Sequence, residues 1–438
     1  MTYAEATGFL YSLRRFGWRP GLATIERLVA LLGDPQIGIP FVHVAGTNGK
    51  GSTAAMLDAV FRAAGYRTGL YTSPHLLSFT ERIRVNGESI NEAEIVALTE
   101  KLKPLCATHF APGTTAPARD RLPHPTFFEL TTGMALLHFR RRAVDAAVIE
   151  VGLGGRLDAT NVIEPRVAVI TNIALEHEQH LGRTLAEIAG EKAGIVKTGV
   201  PVVTAARGEA LEVIRRRAAQ HQAPVVFAPE AYRWEVRESG LAGQTIDLAG
   251  PCRRYEALRI ALPGRHQVEN AVLVVAAAEA AQAQGFAVDA AAIRRGLAEV
   301  VWPGRLQVVG ERPRIVLDGA HNPAGTQALA AFLSEHRAAL GRLILVFGVL
   351  VDKDWATMLR LLAPLADAMV LTHPPAERGA DPALLVPALG GHGEVIVVPD
   401  IEQALAQARE AARPEDTILV AGSLYTVAAA LRVLRPAA

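Results

Sequence analysis

Val44-Ala45-Gly46-Thr47-Asn48-Gly49-Lys50-Gly51-Ser52-Thr53 is the stretch on which the reading of this chain turns. The run Phe41–Ala45 reads as a buried strand, and residues 52–64 carry the alanine-rich pattern of a helix. Strand, glycine-rich turn, lysine, hydroxyl residues and helix in that order make a phosphate cradle. Glycines let backbone N–H groups approach phosphate oxygens, and a helix N-terminus favours the anion. Lys50 is placed for the β- and γ-phosphates, and the Ser52 hydroxyl for the nucleotide or its Mg²⁺. The string departs from G-x4-G-K-[ST] in one respect: Gly51 separates Lys50 from Ser52.

Working outward, short β-branched runs alternate with alanine-rich amphipathic stretches along the chain. Residues 146–151 and 167–173 read as further strands, as do 314–317, 343–347, 368–371, 395–398 and 417–421. Near-continuous apolar strands separated by helices predict a parallel sheet covered on both faces, hence an α/β fold. Residues 232–260 are more polar and alternate at 234–236 and 245–248, which predicts a small antiparallel patch appended to the first domain. Trp302-Pro303-Gly304 interrupts a helical stretch that ends near Val300, predicting a short linker and two domains, 1–301 and 302–438. Residues 108–125, with four prolines, read as a surface loop.

The chain of 438 residues is 50% apolar and 20% charged, which excludes a disordered protein. Its 45 basic and 44 acidic residues leave a formal charge of +1, which argues against nucleic-acid binding through bulk electrostatics. Only six of the basic residues are lysines, at positions 50, 101, 103, 192, 197 and 353. Cys106 and Cys252 lie far apart with no metal-type spacing, so neither a disulfide framework nor a zinc site is expected. No secretory pattern opens the chain, and the most apolar run, 271–278, stops at Glu279, short of a membrane helix. A cytoplasmic protein without membrane or nucleic-acid partners is the expectation.

Five further clusters carry chemistry. In Glu150-Val151-Gly152-Leu153-Gly154-Gly155-Arg156-Leu157-Asp158-Ala159-Thr160-Asn161 a carboxylate at a strand end precedes glycines, where open α/β sheets place ligands. Glu150 there is a candidate Mg²⁺ ligand. In Asn172-Ile173-Ala174-Leu175-Glu176-His177, His177 could ligate a metal, bond a phosphate or serve structure alone. Lys192, beside Glu191, reads equally as an ion pair or as a functional amine. In the second half, Asp318-Gly319-Ala320-His321-Asn322-Pro323, Asp352-Lys353-Asp354 and Ala421-Gly422-Ser423 each follow a strand and suggest a ligand cleft; Asp-Lys-Asp also fits a charged helix-capping turn.

Taken in order with Thr72-Ser73-Pro74-His75-Leu76, Thr80-Glu81-Arg82-Ile83-Arg84, Glu191–Ile195 and Pro303-Gly304-Arg305, these motifs resemble the folylpolyglutamate synthase/dihydrofolate synthase family. That family is a branch of the muramyl-ligase-like ATP-dependent amide ligases. The resemblance implies a P-loop ATPase-like N-terminal domain, a smaller Rossmann-like C-terminal domain, and ATP bound across the domain cleft. It implies L-glutamate joined to a folate or dihydropteroate carboxylate through an acyl phosphate, by a monomer. Position by position it implies that Thr47, Asn48, Gly49, Lys50, Gly51 and Ser52 hold the ATP phosphates, with Asn270, Arg305 and Asp318 as further nucleotide contacts. It puts Mg²⁺, as two ions, at Ser73, Glu150, His177 and Lys192, the lysine carbamylated by CO₂. Lys50, His177 and Lys192 are the implied catalytic residues. Thr126, Phe127, Phe128, Glu129, Leu157, Asp158 and Ala159 fall at the implied pterin end, and His321 and Ser423 at the incoming glutamate. Glu176 stands where the family usually has Asp, and residues 21–27 match its folate-contacting stretch only loosely.

Two other readings compete. A ligase of the same family could act on a cell-wall precursor, although Ser73-Pro74-His75 and Phe127-Phe128-Glu129 favour folate. A P-loop nucleotide switch would leave the candidate metal set and the second domain's strand-end clusters without use.

Overall fold

The computed structural model describes residues 1–17, 19–111, 121–391 and 393–434. Part of the proline-rich loop expected at 108–125 therefore lies outside the described residues. In chain order the strands are β1 Phe41–Ala45, β2 Thr68–Tyr71, β3 Ile83–Val85, β4 Glu88–Ser89, β5 Ala146–Glu150, β6 Pro165–Ile170, β7 Val202–Thr204 and β8 Val225–Phe227. There follow β9 Arg233–Gly240, β10 Gly243–Ala249, β11 Arg254–Ile260, β12 Gln307–Glu311, β13 Arg314–Leu317, β14 Leu343–Phe347, β15 Ala368–Leu371, β16 Val395–Val397 and β17 Thr417–Ala421.

The architecture is α/β. The first eight strands form one sheet in the order β4-β3-β2-β5-β1-β6-β7-β8. Its centre is parallel, and β1 and β5 are buried at every residue, as strands covered on both faces must be. The expectation of a purely parallel sheet fails at one edge, where β3 runs antiparallel to β2 and β4 antiparallel to β3. Asn86 and Gly87, at φ 54° and 81°, join those last two strands, as a two-residue hairpin turn requires. A further departure concerns β6, which stops at Ile170, three residues before the strand end read from sequence.

The six-stranded sheet runs β12-β13-β17-β14-β15-β16, parallel except for β12, an antiparallel edge strand. Strands β9 to β11 form a separate three-stranded sheet in which sequence neighbours are also neighbours in space. The chain falls into two compact units: Met1–Glu235 with Leu248–Leu258 and Glu269–Val300, and Val236–Asp247 with Arg259–Val268 and Val301–Ala438. The patch that the sequence attached wholly to the first domain is thus divided.

In the first unit the helix Lys50–Ala63 is buried continuously from Ser52 to Phe61. Gly296, on the helix Ala290–Glu299, lets the two helices touch, because a Cβ there would stand 2.5 Å from the Val60 Cα. Among the described residues no helix is long and apolar enough to cross a membrane. Cys106 is buried, Cys252 exposed, and both are free thiols.

Candidate active site

After β1 the chain turns through Gly46 and Gly49 into the helix that starts at Lys50, two residues earlier than its apolar pattern suggests. Gly46 and Gly49 have φ of 143° and 84°, and space also demands glycine at both. A Cβ on Gly46 would stand 1.8 Å from Thr171 Oγ1, and one on Gly49 2.4 Å from Asn270 Oδ1. The segment after β6 braces the turn. Thr47 N–H donates to Asn172 O at 2.8 Å and Asn48 N–H to Asn172 Oδ1 at 3.0 Å. Thr171 Oγ1 donates to Asn48 O at 2.6 Å, and Thr47 Oγ1 accepts from Ala174 N–H at 3.0 Å. Thr47 and Asn48 thus commit their amides to the loop. Gly49, Lys50, Gly51 and the buried Ser52 stand at the helix N-terminus, whose first N–H groups have no carbonyl within the helix.

Two lysines converge beside this turn. Lys50 Nζ donates to Gly46 O and Thr47 O, both at 3.0 Å, and Lys192 Nζ donates to Gly46 O at 2.7 Å. Lys192 ends the helix Leu185–Lys192 and is only 4% exposed. Burial, then the charge of Lys50, push its pKa down to about 7 against the opposing pull of Glu176 and Asp158. Glu150 ends β5 opposite Val44 and is buried; its Oε2 accepts the Ser73 N–H at 2.9 Å. The structure therefore brings Ser73 to Glu150, and Lys50 and Lys192 to Gly46. His177 is exposed, at φ 52° before the short helix Glu178–Leu181, with Nε2 3.8 Å from Glu176 Oε1. Among the described residues no three His, Cys, Asp or Glu side chains gather at metal-holding distance.

The residues assigned to the pterin end satisfy one another to a large extent. Thr126 and Glu129 form a reciprocal cap on the helix Phe127–Arg141: Thr126 N–H donates to Glu129 Oε2 at 2.7 Å and Glu129 N–H to Thr126 Oγ1 at 3.3 Å. The Phe128 ring lies where a Cβ on Gly152 would fall, 2.4 Å from its Cζ. Phe127 stacks on Tyr11 with ring centroids 5.8 Å apart. Asp158 is buried and shapes its own loop, accepting from Leu153 N–H at 2.8 Å and from Thr160 N–H at 3.0 Å. Burial raises its carboxyl pKa. The Thr160 hydroxyl also bonds Asp158 Oδ1 and lies 2.8 Å from Nε2 of the fully buried His43. Ala159 is buried beside it and Leu157 half-buried.

In the second unit, Asp318 receives Leu306 N–H and Ala320 N–H, each at 2.9 Å, one on each carboxylate oxygen. Arg305 Nη1 donates to Gly304 O at 2.9 Å, and a Cβ on Gly319 would stand 2.4 Å from that nitrogen. His321 Nδ1 lies 2.8 Å from Gly319 O. Ser423 caps the helix Leu424–Leu434, its Oγ accepting Thr426 N–H at 3.0 Å. Asp354 likewise caps the helix Trp355–Leu362 through Thr357 N–H at 3.1 Å, as the capping alternative for Asp-Lys-Asp expects.

Residues 44–278 match the Mur ligase middle domain, and residues 304–424 the Mur ligase glutamate ligase domain. The chain belongs to the Mur ligase family. Within that family it is 41% identical over 370 residues to the dihydrofolate synthase/folylpolyglutamate synthase of Bacillus subtilis, covering 84% of each chain. It is 40% identical over 98% of its length to a Haloferax volcanii protein named as a bifunctional folylpolyglutamate synthase/dihydropteroate synthase, and spans half of that longer relative. The Mycobacterium tuberculosis folylpolyglutamate synthase, solved with ADP and AMPPCP, superposes with a TM-score of 0.90 at 36% identity, over 99% of both chains.

Reading this Mur ligase from sequence missed several residues that build its sites. Thr171 and Asn172 brace the phosphate loop; Asn172 opens the cluster read for His177, but nothing local marks either residue as a brace, since their partners lie about 125 positions away. His43 reads as one polar residue in an apolar strand. His266, half-buried with its Nδ1 buried and unpartnered and within electrostatic reach of Asp318 and Arg305, lies outside every motif. The family's Thr-Glu-Arg motif contains Arg82, but its burial under Phe127 is a long-range fact.

Proposed function

We propose that the chain is an ATP-dependent ligase that adds L-glutamate to the terminal carboxylate of folates, and also to dihydropteroate, releasing ADP and phosphate. One observation carries this reading: a glycine turn braced by Thr171 and Asn172 and closely approached by Asn270, with Lys50 and Lys192 meeting at the Gly46 carbonyl. The turn presents the amides at the start of the helix Lys50–Ala63 to the phosphates, and Lys50 supplies charge where it builds on the transferred phosphoryl group. A carboxylate is a poor acylating agent at neutral pH. Attack of the acceptor carboxylate on the γ-phosphate gives an acyl phosphate, whose phosphate the glutamate amine then displaces.

The donor set also fits Mg²⁺. The ion takes few protein ligands and completes its shell with substrate phosphates and water; the Glu150 carboxylate, against which the Ser73 backbone N–H is held, would supply one hard oxygen and the Ser73 hydroxyl another. Bound there, the ion neutralises charge on the phosphate oxygens. The same rule explains why no closed protein cage of three acidic or imidazole groups is needed. Lys192, with a pKa near 7, holds a neutral amine that can attack CO₂ and release a proton, giving a carbamate oxygen donor beside Gly46. His177 would be a further ligand on the metal side. Phe127, Phe128 and the Asp158 loop receive the acceptor, and His321 and Ser423 the glutamate.

The test is ADP release with ATP, Mg²⁺ and L-glutamate, offered tetrahydrofolate, dihydropteroate or a UDP-muramyl acceptor. Turnover with the first two supports the reading; turnover with the muramyl compound alone overturns it.

A further inference from the structure

Arg82 is 5% exposed, yet it faces no carboxylate within ion-pair distance among the described residues. Its Nε–H donates to His75 Nδ1 at 2.8 Å, and its guanidinium carbon lies 5.2 Å from the centroid of the Phe127 ring. These are a neutral acceptor and an aromatic face. The two Nη groups, with four of the five N–H donors, have no protein acceptor among the described residues. The Nη groups are not among the buried unpartnered atoms, so the fork opens to solvent from an otherwise buried residue, with Glu150 acting on it only from beyond ion-pair distance; a guanidinium held this way is set up to receive an anion.

Its surroundings specify the anion's carrier. Tyr11 stacks on Phe127 at 5.8 Å and meets Phe79 edge-on at 6.3 Å, while Arg14 covers the Tyr11 ring at 4.4 Å. Aromatic walls beside a guanidinium fork suit an aroyl-amino acid, its ring against the walls and an amino-acid carboxylate held through both oxygens. His75 fixes the fork from behind.

We propose that Arg82 binds a carboxylate of the acceptor that does not itself react, which makes it a determinant of acceptor choice; this rests on the folate reading above. A folate ends in glutamate and carries two carboxylates, one of which is a spectator. Dihydropteroate carries only the one that must attack phosphorus. An oxygen pair clamped by a guanidinium is a weakened nucleophile, so the clamp suits the spectator.

The experiment compares wild type, Arg82→Met and Arg82→Lys by steady-state kinetics with tetrahydrofolate and dihydropteroate. Calorimetry with p-aminobenzoyl-L-glutamate, an aroyl-amino acid with two carboxylates, accompanies it. In Arg82→Met the KM for tetrahydrofolate should rise roughly ten- to a hundredfold, as expected for loss of a bidentate charged pair. The KM for dihydropteroate should rise far less, with Arg82→Lys intermediate. Calorimetric affinity should fall in the same order. Equal effects on both acceptors, or none, overturn the proposal. If Arg82→Met does not fold, Arg82→Lys alone decides by the same split between acceptors. If wild type turns over neither acceptor, the ligase reading fails, and the calorimetric series still decides the carboxylate site.

Discussion

Lys192 Nζ donates to the Gly46 carbonyl at 2.7 Å, placing a buried amine against the backbone of the phosphate turn. Its pKa of about 7 lies below the value near 10.4 of an exposed lysine. Between those pH values the unfolded chain holds a proton that the folded chain has released. Stability therefore rises with pH across this window. Relative to Lys192→Met, wild type should gain melting temperature from pH 7 to pH 9.5. A constant difference between the two proteins would contradict the assignment.

The same lysine has a chemical test. Lys192→Ala should lose most ligase activity and regain part of it with added acetate or formate, which would stand in for the oxygens of the proposed carbamate. Wild-type activity without such additives would remove Lys192 from the reaction.

Gly46 and Gly65 both have positive φ, 143° and 91°, but only Gly46 is crowded. Gly65→Ala should cost the backbone strain alone, roughly 1 kcal/mol in denaturant melts. Gly46→Ala must also displace Thr171 Oγ1 from 1.8 Å, so it should destabilise by clearly more and weaken ADP binding. Equal losses at the two sites would show that the Thr171 brace does not constrain the loop.

His43 and Thr160 give a prediction on the acid side. Burial holds the His43 pKa down to about 3, so the folded chain keeps it neutral while the unfolded chain protonates it near 6.5. The stability of wild type should fall as pH drops from about 6.5 towards 3, and His43→Gln should flatten that slope by about one proton. Thr160→Val, which strips both His43 and Asp158 of a partner, should cost roughly 1–3 kcal/mol in urea unfolding, and Thr160→Ser much less.

Thr126→Ala and Glu129→Ala each remove half of a reciprocal helix cap. Each should cost about 1 kcal/mol, and the double variant less than the sum, because either change already breaks the pair. Full additivity would mean that the two residues act apart.

The fold was legible at most strands buried along their whole length, although Val202–Thr204, only three residues long, was not read. Phe41–Ala45, Leu343–Phe347, Ala368–Leu371 and Thr417–Ala421 are the ranges read from their β-branched runs. Thr68–Tyr71 escaped because Gly69 interrupts its pattern; that glycine is needed where Phe139 crosses, 2.8 Å from a would-be Cβ. The Ile83–Val85 hairpin escaped although Asn86-Gly87 signals it, since its strands are only three and two residues long. At the site, glycines and Lys50 are contiguous and so could be read. Arg82 acquires its environment from Tyr11 and Phe127, 71 residues before and 45 after it, and no local pattern encodes that.

The register of β5 on β1 has a last consequence. Val44 pairs with Glu150, so the phosphate turn and the acidic strand end emerge side by side. A slip of one residue would turn Glu150 to the opposite face of the sheet. Nucleotide would then be captured only by chains that have paired correctly, and its binding energy would accrue to them alone. The substrate thus acts as an inspector of its own enzyme's assembly, and chains refolded in its presence should be sorted by it.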